Sequence, residues 1–159
     1  MEEKKEVVFS RIFDAKPERV WQVWTEPSLL AQWWGPRNVN IPECEVDLRV
    51  GGRIYIVMEA GEGMGQYKGM RWPMEGRFTV VEPKTKLAYQ AKAWTEGQEE
   101  TSNLEQVTEI TFADVDGKTQ MDLKVMVLKT GPAADMAVQG MQAGFTQQFE
   151  KLKEFLAKQ

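Results

Sequence analysis

FDAKPERVWQVWTEPSLLAQWWGP, residues 13–36, decides the fold. It holds two helix starts back to back. Pro17 and Pro27 each fall where a first helical turn begins, the position at which a missing N–H costs least. Glu18 follows with a negative charge near a helix N-terminus, where the macrodipole favours it. Val20, Val23 and Trp24 recur at three- and four-residue spacing, as do Leu29, Leu30, Trp33 and Trp34. Gly35-Pro36 stops the second helix. The two helices are expected over about Pro17–Thr25 and Pro27–Trp34. Four of the chain's six tryptophans lie here, so the pair must be buried against something large.

Around this block the pattern turns to strands. Glu6 to Phe13 is β-branched and aromatic and reads as the first strand. Ile41–Leu48 is the next, closed by Gly51-Gly52, and Arg53–Glu59 follows. Ala60–Gly69, with four glycines, reads as a flexible hairpin loop. Met70, Trp72, Met74, Gly76, Phe78 and Val80 then share one side of a strand, with Arg71, Glu75, Arg77 and Thr79 on the other. Pro73 removes a ladder donor and predicts a bulge or an edge nearby. Glu82-Pro83-Lys84 makes a turn, and Leu87, Tyr89, Ala91 and Ala93 continue one face. Thr95–Asn103 is polar and acidic and reads as a solvated loop. Val107–Ala113 and Thr119–Val127 flank an Asp116-Gly117 hairpin turn. Gly131-Pro132 opens a final helix of roughly twenty-five residues, whose apolar stripe is Ala137, Met141, Phe145, Phe149, Leu152 and Leu156. A one-sided antiparallel sheet needs a cover, and this helix is the only element large enough. The architecture is therefore α+β.

At 159 residues the chain is read as one domain, 1–159. Its lone cysteine, Cys44, cannot form an internal bridge, which suits a reducing cytoplasm. A net charge of −4 offers no broad field for phosphate backbones, so no nucleic acid is expected. The charged N-terminal residues are unlike a secretory signal, and no stretch approaches the ~20 apolar residues of a membrane span. The chain contains no histidine, which removes the commonest general base and metal ligand. No CxxC pair or Gly-rich phosphate loop appears. Neither a metal nor a cofactor is expected.

Phe13-Asp14-Ala15, Pro17 with Val20-Trp21, Trp24-Thr25, Pro27 and Trp33-Trp34-Gly35-Pro36 resemble the family of activator-of-heat-shock-protein-90-ATPase homologues, a branch of the START-like, helix-grip superfamily also called SRPBCC. Downstream matches are Asp47-Leu48-Arg49-Val50-Gly51-Gly52-Arg53, Gly76, Glu82-Pro83 with Leu87, and Gly144 on the last helix. The resemblance covers nearly the whole chain. It implies a helix-grip fold: a curved antiparallel sheet of six to seven strands wrapped on a long C-terminal helix, with two short helices after the first strand. The superfamily spans carriers, enzymes and chaperone regulators. The eukaryotic activators carry an additional N-terminal domain, which this chain is expected to lack.

A curved sheet and a straight helix leave a space that large side chains fill or a cavity occupies. Gly140 and Gly144 interrupt the helix near its stripe, where glycine costs roughly 0.5–1 kcal/mol relative to alanine. Either strand side chains approach closely there, or room is left for a ligand. The candidate lining is soft and aromatic: Met70, Trp72, Met74, Phe78, Tyr89, Met121, Met141 and Phe145, with Gly144 among them. The same residues also read as ordinary core. Tyr55, Tyr89 and Thr108 are the polar groups available to orient a ligand, joined by Arg53 if its strand turns it inward. Glu75 and Glu109 fall opposite the apolar face beside Arg71, Arg77 and Lys124, as cross-strand ion pairs would. No catalytic residue is singled out. Three functions compete: a protein that binds a small apolar or aromatic molecule between sheet and helix; a co-chaperone that binds heat-shock protein 90 and stimulates its ATPase; and a cyclase- or lyase-type enzyme.

Overall fold

Two prolines set the entry to both short helices. The residue before a proline is driven to extended backbone, and Lys16 (φ −69°, ψ 152°) and Glu26 (φ −91°, ψ 120°) obey. Helix α1 (Pro17–Thr25) and helix α2 (Pro27–Trp33) thus begin at their prolines with no side-chain cap. Glu26 serves twice, ending α1 with an N–H bond to the Gln22 carbonyl and preceding α2. Trp34 leaves the helix, and Gly35 takes a left-handed φ of 81°. A Cβ at Gly35 would stand 2.8 Å from Val39 Cγ2 and 2.9 Å from Met58 Sδ, so conformation and space both demand glycine.

The structure, a computed structural model, describes residues 5–98, 103–130 and 135–158. Strand β1 (Lys5–Phe13) precedes the two helices. Strands β2 (Val39–Val46), β3 (Arg53–Ala60), β4 (Arg71–Glu82), β5 (Lys86–Ala93), β6 (Leu104–Val115) and β7 (Lys118–Thr130) follow, then helix α3 (Asp135–Ala157). All seven strands form one antiparallel sheet in the order β1-β7-β6-β5-β4-β3-β2. It curls as a half-barrel around α3, which is the helix-grip fold. The turn at Asp116 (φ 54°) and Gly117 (φ 83°) has the two left-handed residues that a tight hairpin requires.

Several local readings need correction. The segment 60–69 is not an open loop: Glu62–Tyr67 forms 3₁₀ turns broken at Gly65. Main-chain bonds from Gly61 to Asn38 and from Gly69 to Ala60 hold it to the sheet. The bulge in β4 falls between Phe78 and Val80, not at Pro73. It reverses the alternation, so Val81 rather than Val80 packs on the core. Pro73 sits at the end of the β4–β5 ladder, where Trp94 N–H donates to its carbonyl and the ring has no N–H to return. Arg53 points away from the helix, paired with Glu45 and Glu75. On that outer face Arg71 meets Glu43, Glu59 and Glu96, and Lys124 meets Glu6. These pairs are solvated and contribute little each. The Gly131-Pro132 helix opening, the side chain of Ala137 and positions 99–102 of the acidic loop lie outside the described residues.

The core forms on three supports. The tryptophans of the helix pair pack edge to face: Trp24 on Trp33 at 4.8 Å between centroids and on Trp34 at 5.9 Å. Both buried indoles find acceptors, Trp33 Nε1 at the Val23 carbonyl (3.0 Å) and Trp24 Nε1 at Met121 Sδ (3.2 Å). Phe145 and Phe149 of α3 flank Phe9 at 5.4 and 5.6 Å. Leu152 and Leu156 complete the buried stripe. Finally, α3 is tied to the end of α2. Gly35 N–H donates to Gln148 Oε1 (3.0 Å), and Lys151 Nζ donates to the carbonyls of Trp34, Gly35 and Pro36 at 3.1, 3.2 and 3.4 Å. The ammonium thereby satisfies the carbonyl of the α2 C-cap and those of the two residues beyond it. Burial lowers its pKa, as does nearby Arg37, while Glu154 opposes them.

Two outcomes are expected. Trp33 is fully buried, so Trp33→Ala should destabilise the protein by about 3–5 kcal/mol in urea unfolding; a change below ~1 kcal/mol would contradict its place in the core. Cys44, partly buried on β2, has its thiol pushed up from 9.0 to about 11, first by burial and then by Glu45. The fold holds this proton more tightly than the unfolded chain does. That contribution is complete below pH 9.0 and is lost as pH rises through about 11. Iodoacetamide alkylation of the native protein should therefore show its pH midpoint near 11, and a midpoint at or below 9 would refute it.

Candidate ligand-binding cavity

Helix α3 grips the sheet unevenly. Its second half is buried through Phe149, Leu152 and Leu156, whereas Met141, Gly144 and Phe145 stay partly exposed. Beneath that first half lies a cavity of about 260 Å³. Its floor comes from the sheet: Ile56 and Met58 of β3, Trp72, Pro73 and Met74 of β4, and Ala93 of β5 with Trp94 and Thr95 beyond it. Leu104 and Gln106 of β6 continue the floor. Met141, Gly144, Phe145 and Gln148 form the roof, and Trp34 with Pro36 close the end beside α2. The register explains the row, since Ile56 pairs with Met74, Met74 with Ala93, and Ala93 with Leu104.

Small residues on the two facing surfaces keep the space open. Ala93 lies on the floor and Gly144 in the roof. An added Cβ at Gly144, or at Gly140, meets nothing within 4 Å. Close approach of strand side chains is thus not the reason for either glycine. At Gly144 the missing side chain is volume added to the cavity.

Five of the residues singled out from sequence come together here: Trp72, Met74, Met141, Gly144 and Phe145. Phe78, Tyr89, Thr108 and Met121 are fully buried elsewhere in the core, with Phe78 edge-on to Tyr89 at 6.1 Å. Burial drives the Tyr89 phenol far up, so it stays protonated and is no base. Tyr55 stands on the outer face with its ring 4.3 Å from the Arg53 guanidinium. Met70 precedes β4 and makes main-chain bonds to Ala60 and Tyr67. None of these six lines the cavity.

The alternation pattern missed two polar residues. Gln106 lies one residue before the Val107–Ala113 pattern that marks the strand in the sequence, whereas the strand starts at Leu104 and turns Leu104, Gln106, Thr108 and Ile110 inward. Gln148 stands four residues after Gly144 and three after Phe145, a spacing that places it on the cavity side of the helix. Both are buried, at 7 % and 4 % exposure. Among the described lining residues none carries a charge. Among the described residues no group of three or more His, Cys, Asp or Glu could hold a metal ion, and no helix is long and apolar enough to cross a membrane. The lining can enclose an apolar body and offer it amide contacts.

The comparisons agree with this architecture. A Rhodobacter sphaeroides protein superposes with a TM-score of 0.74 at 26% identity, over 96% of this chain and 93% of that one. Ms6760 from Mycobacterium smegmatis gives 0.77 at 20% identity, over 95% and 90%. The AHSA1 protein from Silicibacter pomeroyi gives 0.72 at 22%, over 96% and 98%. The latter two, at such identity, bear on the fold alone. No curated protein sequence matches. Residues 14–157 match the family model described as Activator of Hsp90 ATPase homolog 1-like protein, and the chain belongs to that family.

Proposed function

We propose that this protein binds a small apolar or aromatic molecule in the cavity between the sheet and the first half of α3. The observation that carries the reading is the shape of the interface: one half of α3 is packed and the other stands over a 260 Å³ space walled by Trp, Met, Phe and Leu side chains. That volume exceeds the ~150 Å³ apolar cavity that accommodates benzene. It lies near the lower end of the ~300–1,000 Å³ typical of ligand pockets, which suits a ligand of one or two rings. The lone thiol, without a bridging partner, suits a reducing cytoplasm.

A second reading comes from the family description, which names an activator of the Hsp90 ATPase. On that reading the chain would bind the chaperone through its outer surface, with the cavity playing no part. Titration of labelled protein with purified Hsp90 separates the two: no shift at tens of micromolar ends the chaperone reading.

The cavity reading is tested with naphthalene followed by amide NMR. Shifts are expected at Met58, Trp72, Ala93, Leu104, Gly144 and Phe145. Gly144→Ala should raise stability by about 0.5–1 kcal/mol through helix propensity, because nothing obstructs the methyl. Gly144→Leu, which fills the space, should abolish the shifts while the protein remains folded. Shifts unaffected by Gly144→Leu, or no shifts in wild type with either naphthalene or 2-naphthamide, would overturn the reading.

A further inference from the structure

An apolar ligand leaves two features of this cavity unexplained. Gln148 Oε1 accepts the Gly35 N–H at 3.0 Å, so the orientation of its amide is fixed by the main chain. Its Nε2 is buried without a hydrogen-bond partner. Gln106 places Nε2 4.0 Å from Met74 Sδ, a weak contact, and its Oε1 is likewise buried without a partner. Both residues line the cavity, but these two amide atoms have almost no accessible surface of their own, so a ligand reaches them as the wall yields locally. A buried donor or acceptor left unpaired costs the full desolvation of that group. A hydrophobic residue would serve better at either position if the occupant were wholly apolar. The described lining holds no charged side chain that would compensate an ion brought in from water.

We infer that the cavity is built for a neutral molecule of one or two rings bearing a hydrogen-bond acceptor for Gln148 Nε2 and a donor for Gln106 Oε1, as a carboxamide or hydroxyl group supplies. The inference rests on the proposed ligand-binding role of the cavity. It adds polarity and charge to the ligand's description. The apolar walls supply most of the binding, and the two glutamines select among compounds of equal shape. A site with amide groups waiting for partners rejects an analogue that lacks them more sharply than an apolar wall rejects a surplus methylene. Carboxylates are disfavoured twice: they would enter without a counter-charge, and they have no donor to offer Gln106.

Three probes of one ring system separate the possibilities: naphthalene, 2-naphthamide and 2-naphthoate, titrated by calorimetry at pH 7. The expected order places 2-naphthamide about tenfold tighter than naphthalene, with ionised 2-naphthoate weakest. Gln106→Leu and Gln148→Met should each narrow the gap between amide and hydrocarbon several-fold while naphthalene affinity is kept. Gln148 also holds Gly35, so Gln106→Leu, whose side chain makes no comparable tether, keeps the test independent of folding. Equal binding of naphthalene and 2-naphthamide, or a gap that survives Gln106→Leu, would overturn the inference and leave the apolar cavity intact. Tightest binding by 2-naphthoate would refute neutrality. Failure of all three probes would overturn the cavity reading itself.

Discussion

The tether between the end of α2 and the middle of α3 is the constraint on which the rest depends. A seven-stranded curled sheet would accept its covering helix at several depths and angles. Gly35 N–H on Gln148 and the Lys151 ammonium on three consecutive carbonyls allow only one. The tryptophans of α1 and α2 anchor the other end of that tether in the core, and Phe9 seats between Phe145 and Phe149. With one half of α3 fixed this way, its first half cannot settle onto the floor of β3–β6. The cavity is the geometric remainder of a straight rod held at one end over a curved surface.

What keeps that remainder from closing is residue size. Ala93 and Gly144 face the space where larger residues would fill it, and Gly144 does so at a cost in helix propensity. Two buried amides with unsatisfied atoms add a second cost. Natural cores are close-packed, and both departures fall at one place. On the proposed ligand-binding reading a bound molecule would offset both costs at this one site; Thr108 Oγ1 and Arg71 Nε, also buried without a hydrogen-bond partner, lie outside the cavity lining.

Much of the fold was legible in the chain. The proline-started helices, the Asp116-Gly117 hairpin and the period of the last helix all express local rules, and the structure follows them within a residue or two at most ends. The family resemblance carried over residues 14–157. The site was legible only in part. Alternation and helix spacing tell which face a side chain takes, and so they mark Trp72, Met74, Met141, Gly144 and Phe145 as facing between sheet and helix, where the structure has them. Neither tells how far along a strand the helix stands off, so Phe78, Tyr89, Thr108 and Met121 share that face yet lie in the packed half. Tyr55 entered the candidate set for its hydroxyl, although Arg53 and Tyr55 alternate with Ile54 and Ile56, the pattern that puts the isoleucines in the core and Tyr55 outside. Gln106 and Gln148 carry no motif at all, and their place in the lining follows only from the fold around them.

A xenon derivative tests the central claim most directly, because xenon enters apolar cavities without needing any polar contact. Crystals pressurised with the gas should show a bound atom beneath the first half of α3, among Trp72, Met74 and Phe145. Density only elsewhere, or none in a well-ordered pressurised crystal, would contradict the account and mean that the helix lies against a filled interior.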